Sequence, residues 1–264
     1  MGFNVSYHPI KEQETKEWYF DVLNDESKIN NLTQMFELDD FYKQKYADMI
    51  SAGKNTQTSD CFDITHGFYI AAIQGFFRTH FFTRGSAFSF LVNENPDYKK
   101  YTKSWQEILK TPIDNPIHNM ITENYSSGVY ISASHVHVLL GNYQSDERVK
   151  QELDNFYSHN RIDVFLKALR YCAENDMGLL EAADVVEPNP LNLNESKSYS
   201  NLFNCDTDGA LLYEKAVLEQ ISVIEEENKF EKGTIAKDAE FVVISVDKVE
   251  EKEKKGIWKR LFGK

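Results

Sequence analysis

Asp63, His66, Gln74 and Arg78, with Arg84 six residues further on, are the residues of this chain whose types and spacing come nearest to chemistry. On one helix, at about 100° per residue, Asp63, His66, Gly67, Gln74 and Arg78 fall within about 120° of one another, a broken polar stripe on an otherwise apolar cylinder. A carboxylate near an imidazole is the simplest acid/base couple, and guanidinium groups hold anions through charge-assisted hydrogen bonds. Opening on a cleft, the stripe would make His66 the base, Asp63 its partner and Arg78 and Arg84 anion clamps, as in a small-molecule hydrolase. Sealed in a core, it would be a network that fixes the helix against its neighbours. The sequence favours the sealed network, because nothing near the stripe defines a substrate.

Three other groupings invite chemistry and fall short of it. His135 and His137 would share a metal ion if they sat on a strand, where residues i and i+2 face the same way. Ser132 or Ser134 is placed to cap a helix there, which turns the two rings about 200° apart, and no further ligand motif accompanies them. Cys61 lies five residues before His66, about 140° away on a helix, so an activated thiolate is not expected; Cys172 and Cys205 stand alone. Asp206-Thr-Asp208-Gly209 matches only a fragment of a calcium loop and reads as a helix start. Without GxSxG, GxxxxGK[ST] or a GxGxxG after a strand, neither cofactor nor metal is expected.

The elements that must position these residues are mostly helical. Gly2 to Tyr7 alternates like a short strand ended by His8-Pro9. Lys11 to Leu23 and Ile29 to Ile50 follow with helical spacing of Trp18, Tyr19, Tyr46 and Ile50. An apolar helix is expected from a cap at Ser59 or Asp60 to about Phe82, central to the fold because Phe68, Phe76, Phe77, Phe81 and Phe82 crowd it. A strand at Gly128 to Ile131 and helices from Ser132 to Leu140, Asp146 to Tyr157, Arg161 to Asn175 and Ala210 to Asn228 complete the body. A long polar loop is expected at Glu187–Gly209 and a late strand at Glu240–Val246. The expected class is α+β, predominantly helical with a few short strands. It forms one globular domain over residues 1–246, with a charged linker and tail at 247–264; a division within the polar loop is the alternative.

The 264 residues carry 42 acidic and 29 basic side chains, a net charge of −13, which argues against nucleic-acid binding and for a basic partner. Three cysteines without paired spacing fit a reducing compartment. The first residues lack a secretory pattern and no apolar run reaches membrane-spanning length, so a cytoplasmic protein of bacterial type is expected. Gly2 to Ser6 matches the loose myristoylation pattern, which matters only in eukaryotes. The C-terminus places Ile257, Trp258, Leu261 and Phe262 on one helical side among five cations, a peg for transient contact with an anionic membrane surface or a partner's groove. The expectation is a non-enzymatic interaction or regulatory factor, immunity- or antitoxin-like towards a basic protein. The alternatives are the hydrolase above and a membrane-peripheral adaptor held by the tail.

Overall fold

The structure, a computed structural model, describes residues 3–56, 64–109 and 117–235. Strand β1 (Asn4–Ile10) is followed by α1 (Glu12–Thr15), a π-helical turn (Lys16–Phe20) and α2 (Asp21–Asn24), then by α3 (Lys28–Met35) and α4 (Asp40–Gly53). Helix α5 (His66–Phe77) leads into β2 (His80–Arg84), α6 (Phe88–Glu94), a 3-10 turn (Pro96–Tyr101) and α7 (Trp105–Ile108). Next come β3 (Ser127–Ile131), α8 (Ala133–Ser145), α9 (Glu147–Phe156), α10 (Arg161–Glu174) and β4 (Gly178–Ala183). The two-residue strands β5 (Val186–Glu187), β6 (Lys197–Ser198) and β7 (Cys205–Asp206) precede the long helix α11 (Asp208–Asn228).

The main sheet runs β3-β4-β1-β2-β7, and β5 pairs with β6 in a small second sheet. β1 lies antiparallel to both β2 and β4, and β7 joins the β2 edge in parallel. Successive side chains on a strand point to opposite faces, and here both faces are covered. Tyr7, Phe81, Val129, Ile131 and Leu179 pack on one side with residues of α6, α8, α9 and α10. Ile10, Phe82, Tyr130, Leu180 and Ala182 pack on the other with residues of α4, α5 and the π-helical turn. The result is an α+β fold, mostly helical, and α5 is its most enclosed helix, buried at every residue from Gly67 to Phe76.

Where the fold departs from the sequence reading, tertiary pairing is the reason. The apolar helix begins at the Thr65 cap and ends at Phe77; Arg78 is extended (φ −161°, ψ 174°) and the chain turns back as β2. Phe81 and Phe82 therefore belong to a strand, with Phe81 facing Tyr7 and Phe82 facing Ser6 across the ladder. β1 also runs through His8-Pro9 to Ile10, with Pro9 facing Leu179 of β4. The helix from Ser132 continues past Gly141 to Ser145. The stretch expected as a polar loop, Glu187–Gly209, contains β6, β7 and the second residue of β5, and the expected strand at 240–246 lies outside the described residues.

Candidate functional site

The polar stripe does not converge. His66, at the first turn of α5, shares a 2.6 Å hydrogen bond with Tyr19 through Nδ1 and is flanked by the Tyr19 and Phe20 rings. Burial pushes its pKa down, which favours the neutral ring. Gln74 lies fully buried one face further along: its Oε1 meets His8 Nδ1 at 2.8 Å and its amide donates to the carbonyls of Pro9 and Thr79. Arg78 grips both carboxylate oxygens of Glu14, at 3.0 and 2.8 Å, and lies over the Trp18 ring at 4.7 Å. Arg84 stands at the far end of β2, bonded to Asn4. Asp63 lies outside the described residues. The described members thus have separate partners in separate neighbourhoods.

The remaining groupings resolve likewise. His135 and His137 sit in α8, where Ser132 Oγ accepts from the His135 N–H at 3.3 Å, and two residues on a helix turn them to different sides. Among the described residues, no group of three or more His, Cys, Asp or Glu is placed to hold a metal ion. Cys172 is buried and its thiol donates to the Gly178 carbonyl; burial raises its pKa, and that of Cys205 to about 12, so both favour the protonated thiol. Asp206 and Asp208 both receive Lys167 Nζ at 2.6 Å, and Asp206 also accepts the Asp208 N–H at the start of α11. Cys61 and the tail residues Ile257, Trp258, Leu261 and Phe262 lie outside the described residues. Among the described residues, no helix is long and apolar enough to cross a membrane.

What the structure does assemble lies around α11. Gly209 lets this helix approach β2 so closely that a Cβ there would overlap the Phe82 carbonyl and sit 2.7 Å from its carbon. From that seat an inner stripe of Leu212, Tyr213, Ala216, Val217 and Gln220 runs at helical spacing towards Val223 and Ile224. The first part of the stripe faces the body, whereas Val223 and Ile224 are 53% and 46% exposed, so the helix outruns what covers it. On the opposite side, seven residues apart, Leu211 and Leu218 are 48% and 45% exposed. In the last turn of the helix, buried Glu225 accepts the backbone N–H groups of Gly233 and Ile235 at 2.7 and 2.8 Å and holds the turn that follows.

Between α11 and the turn before α10 lies a cavity of about 500 Å³ whose wall includes Arg84, Arg161, His159, Tyr213 and Val217. Arg84 stacks over Tyr213 at 5.0 Å. Arg161 donates to the Ser158 carbonyl and hydroxyl and to the Arg84 carbonyl, holding a turn in which His159 and Asn160 are both left-handed (φ 60° and 62°). Sequence reasoning singled out Arg84 but not His159, Arg161 or Tyr213. The two left-handed residues of the Ser158–Arg161 turn have no periodicity to betray them, and Arg84 and Arg161 meet only through the fold. No family model, curated protein or solved structure matches this chain.

Proposed function

We propose that this chain is a non-enzymatic protein-interaction factor of regulatory type whose recognition element is α11, and that its partner presents a cationic amphipathic segment. The observation that carries this reading is the double apolar character of α11: a helix apolar on opposite sides is ordinarily enclosed, yet Leu211 and Leu218 on one side and Val223 and Ile224 on the other remain half exposed. The charge of the partner follows from the helix itself, which presents Glu214, Glu219, Glu226 and Glu227 against the single Lys215, Glu225 being buried and Asp208 paired with Lys167. With the chain at −13, two copies would meet acidic face to acidic face, so a basic protein suits this surface better than a second copy. An acidic body that occupies and neutralises a basic partner is the behaviour of an immunity or antitoxin factor.

The test is capture from a native cell lysate with the wild-type chain and with a Leu211→Glu/Leu218→Glu double variant, followed by affinity measurement on the purified partner. The reading expects a basic partner, held at least tenfold more weakly by the variant and more weakly as salt rises. A partner bound equally by both chains, or with no dependence on salt, would contradict it.

A further inference from the structure

The cavity beneath α11 has a chemistry opposite to the protein that surrounds it. Its wall carries Arg84, Arg161 and His159 and no carboxylate, although the chain as a whole has 42 acidic residues. Five arginines fall among the described residues. Arg78 and Arg148 are ion-paired; among the described residues Arg84, Arg161 and Arg170 are not, and two of these three meet at this one cavity.

A guanidinium has five N–H donors. Arg161 uses three of them on Ser158 and Arg84 backbone or hydroxyl oxygens, all neutral acceptors. Arg84 gives one to Asn4. Asn4 in turn donates to Asp184, whose carboxylate is close enough to feel the Arg84 charge but lies off the cavity wall. Both guanidinium groups are half-buried, held in place by other bonds, and keep N–H groups that no described residue accepts. Leu212, Ala216 and Val217 line the helix side of the cavity, with the Tyr213 ring beside them. A pre-positioned cationic pair over an apolar wall, in a space of ligand size, is the composition of a site for an anion that carries an apolar body.

We propose that this cavity binds a small organic oxyanion, a carboxylate or a phosphate monoester, with its charged group on the N–H groups of Arg84 and Arg161 that no described residue accepts and its apolar body against Leu212, Ala216 and Val217. Such a ligand would tie α11 to the turn before α10. The inference does not depend on the proposed function, since the outward residues Leu211 and Leu218 take no part in it.

The experiment is calorimetric titration of the full chain with benzoate and with phenyl phosphate, benzamide serving as the uncharged counterpart. The expected result is saturable binding of one anion, the tighter of the two naming the charged group, and at least tenfold weaker binding of benzamide. Val217→Trp, which fills the apolar wall and leaves both arginines in place, should weaken the anion at least tenfold, and so should Arg84→Gln. Leu211→Glu/Leu218→Glu should bind the anion as the wild type does, which separates this site from the partner surface. Absence of saturable binding by either anion, benzamide binding as tightly as the anion, or full affinity in a folded Val217→Trp chain would overturn the proposal. The comparison of charged and uncharged probes uses the wild-type chain and so holds even if a variant fails to fold.

Discussion

Arg161 donates from Nη1 to the main-chain carbonyl of Arg84 at 2.6 Å, joining the turn before α10 to the end of β2. The same side chain reaches Ser158 twice, at 2.8 and 2.9 Å, and so braces the left-handed residues His159 and Asn160. Hydrogen bonds from a charged donor contribute about 1.5–3 kcal/mol each, with strong overlap when one group makes several. Arg161→Ala should therefore cost about 2–3 kcal/mol in urea unfolding. Arg161→Lys should recover little of it, because an ammonium is a point charge without the planar fork. Full recovery by lysine would mean that charge alone, and not the directed bonds, holds the turn.

Gly209 gives a second expectation, opposite in sign to helix propensity. In an exposed helix Gly→Ala stabilises by about 1 kcal/mol. Here the added methyl would overlap the Phe82 carbonyl, and overpacking of this kind costs about 1–3 kcal/mol. Gly209→Ala should be destabilising in urea and should speed amide exchange in the first turns of α11 as the helix lifts from β2. An alanine variant more stable than wild type would place the helix differently.

The buried titratable groups give a pH profile whose sign can be worked out. Glu181 sits in the core facing α6, where its carboxylate accepts the N–H groups of Ser89 and Val129 at 3.0 and 3.1 Å, yet burial pushes its pKa from 4.5 up to about 7. A raised pKa means that the folded state holds the proton more tightly. The stabilisation is therefore complete below about pH 4.5 and is lost as pH rises through about 7. On the opposite sheet face, His8 and His80 stack at 5.2 Å, and burial lowers both, His80 to about 4. Their contribution is present above the unfolded value of 6.5 and fades as pH falls towards about 4. Above pH 6.5 the Glu181 contribution is still being lost. Relative to wild type, Glu181→Gln should gain about 1 kcal/mol between pH 6.5 and 8 in urea unfolding. A difference that stays constant across this range would show that Glu181 is ionised throughout.

Arg78 separates a packing support from an anion clamp. Its side chain and that of Glu14 are 14% and 15% exposed, and removing one member of a largely buried pair costs about 3–5 kcal/mol. Arg78→Met should destabilise the fold on that scale. Glu14→Gln combined with Arg78→Met should be less destabilising than the sum of the singles, because the second change removes a charge already stranded. Additive effects would mean that the two groups do not act as a pair.

The elements legible in the sequence are those whose apolar period stands out. The Ser132 cap, the amphipathic α9 and α10, and the long α11 follow from spacing alone, as does β3 from its short apolar run. β2 and β4 do not. Strand β4, Gly-Leu-Leu-Glu-Ala-Ala, is buried on both faces and so has neither alternation nor a helical period to show. The turn at Arg78–Thr79 contains neither glycine nor proline, and only pairing with β1 decides that Phe81 and Phe82 extend. Of the candidate site, the apolar inner stripe of α11 was readable, since Leu212, Ala216 and Val217 keep helical spacing. That Leu218 and Ile224 remain uncovered, and that Arg161 comes to Arg84 from 77 residues away, are consequences of topology. Of the stripe through His66, Gln74 and Arg78, only Gln74 is fully buried; His66 bonds Tyr19, Gln74 bonds His8, and Arg78, beyond the end of the helix, pairs with Glu14.

The central claim is that α11 is the surface this protein offers to a basic partner, and hydrogen exchange of the purified complex tests it most directly. The expected result is slowed exchange across residues 211–224 on complex formation, with little change around His66 and Arg78 and no such effect in Leu211→Glu/Leu218→Glu. Protection that appears around His66 and Arg78 while α11 exchanges as in the free protein would contradict the claim.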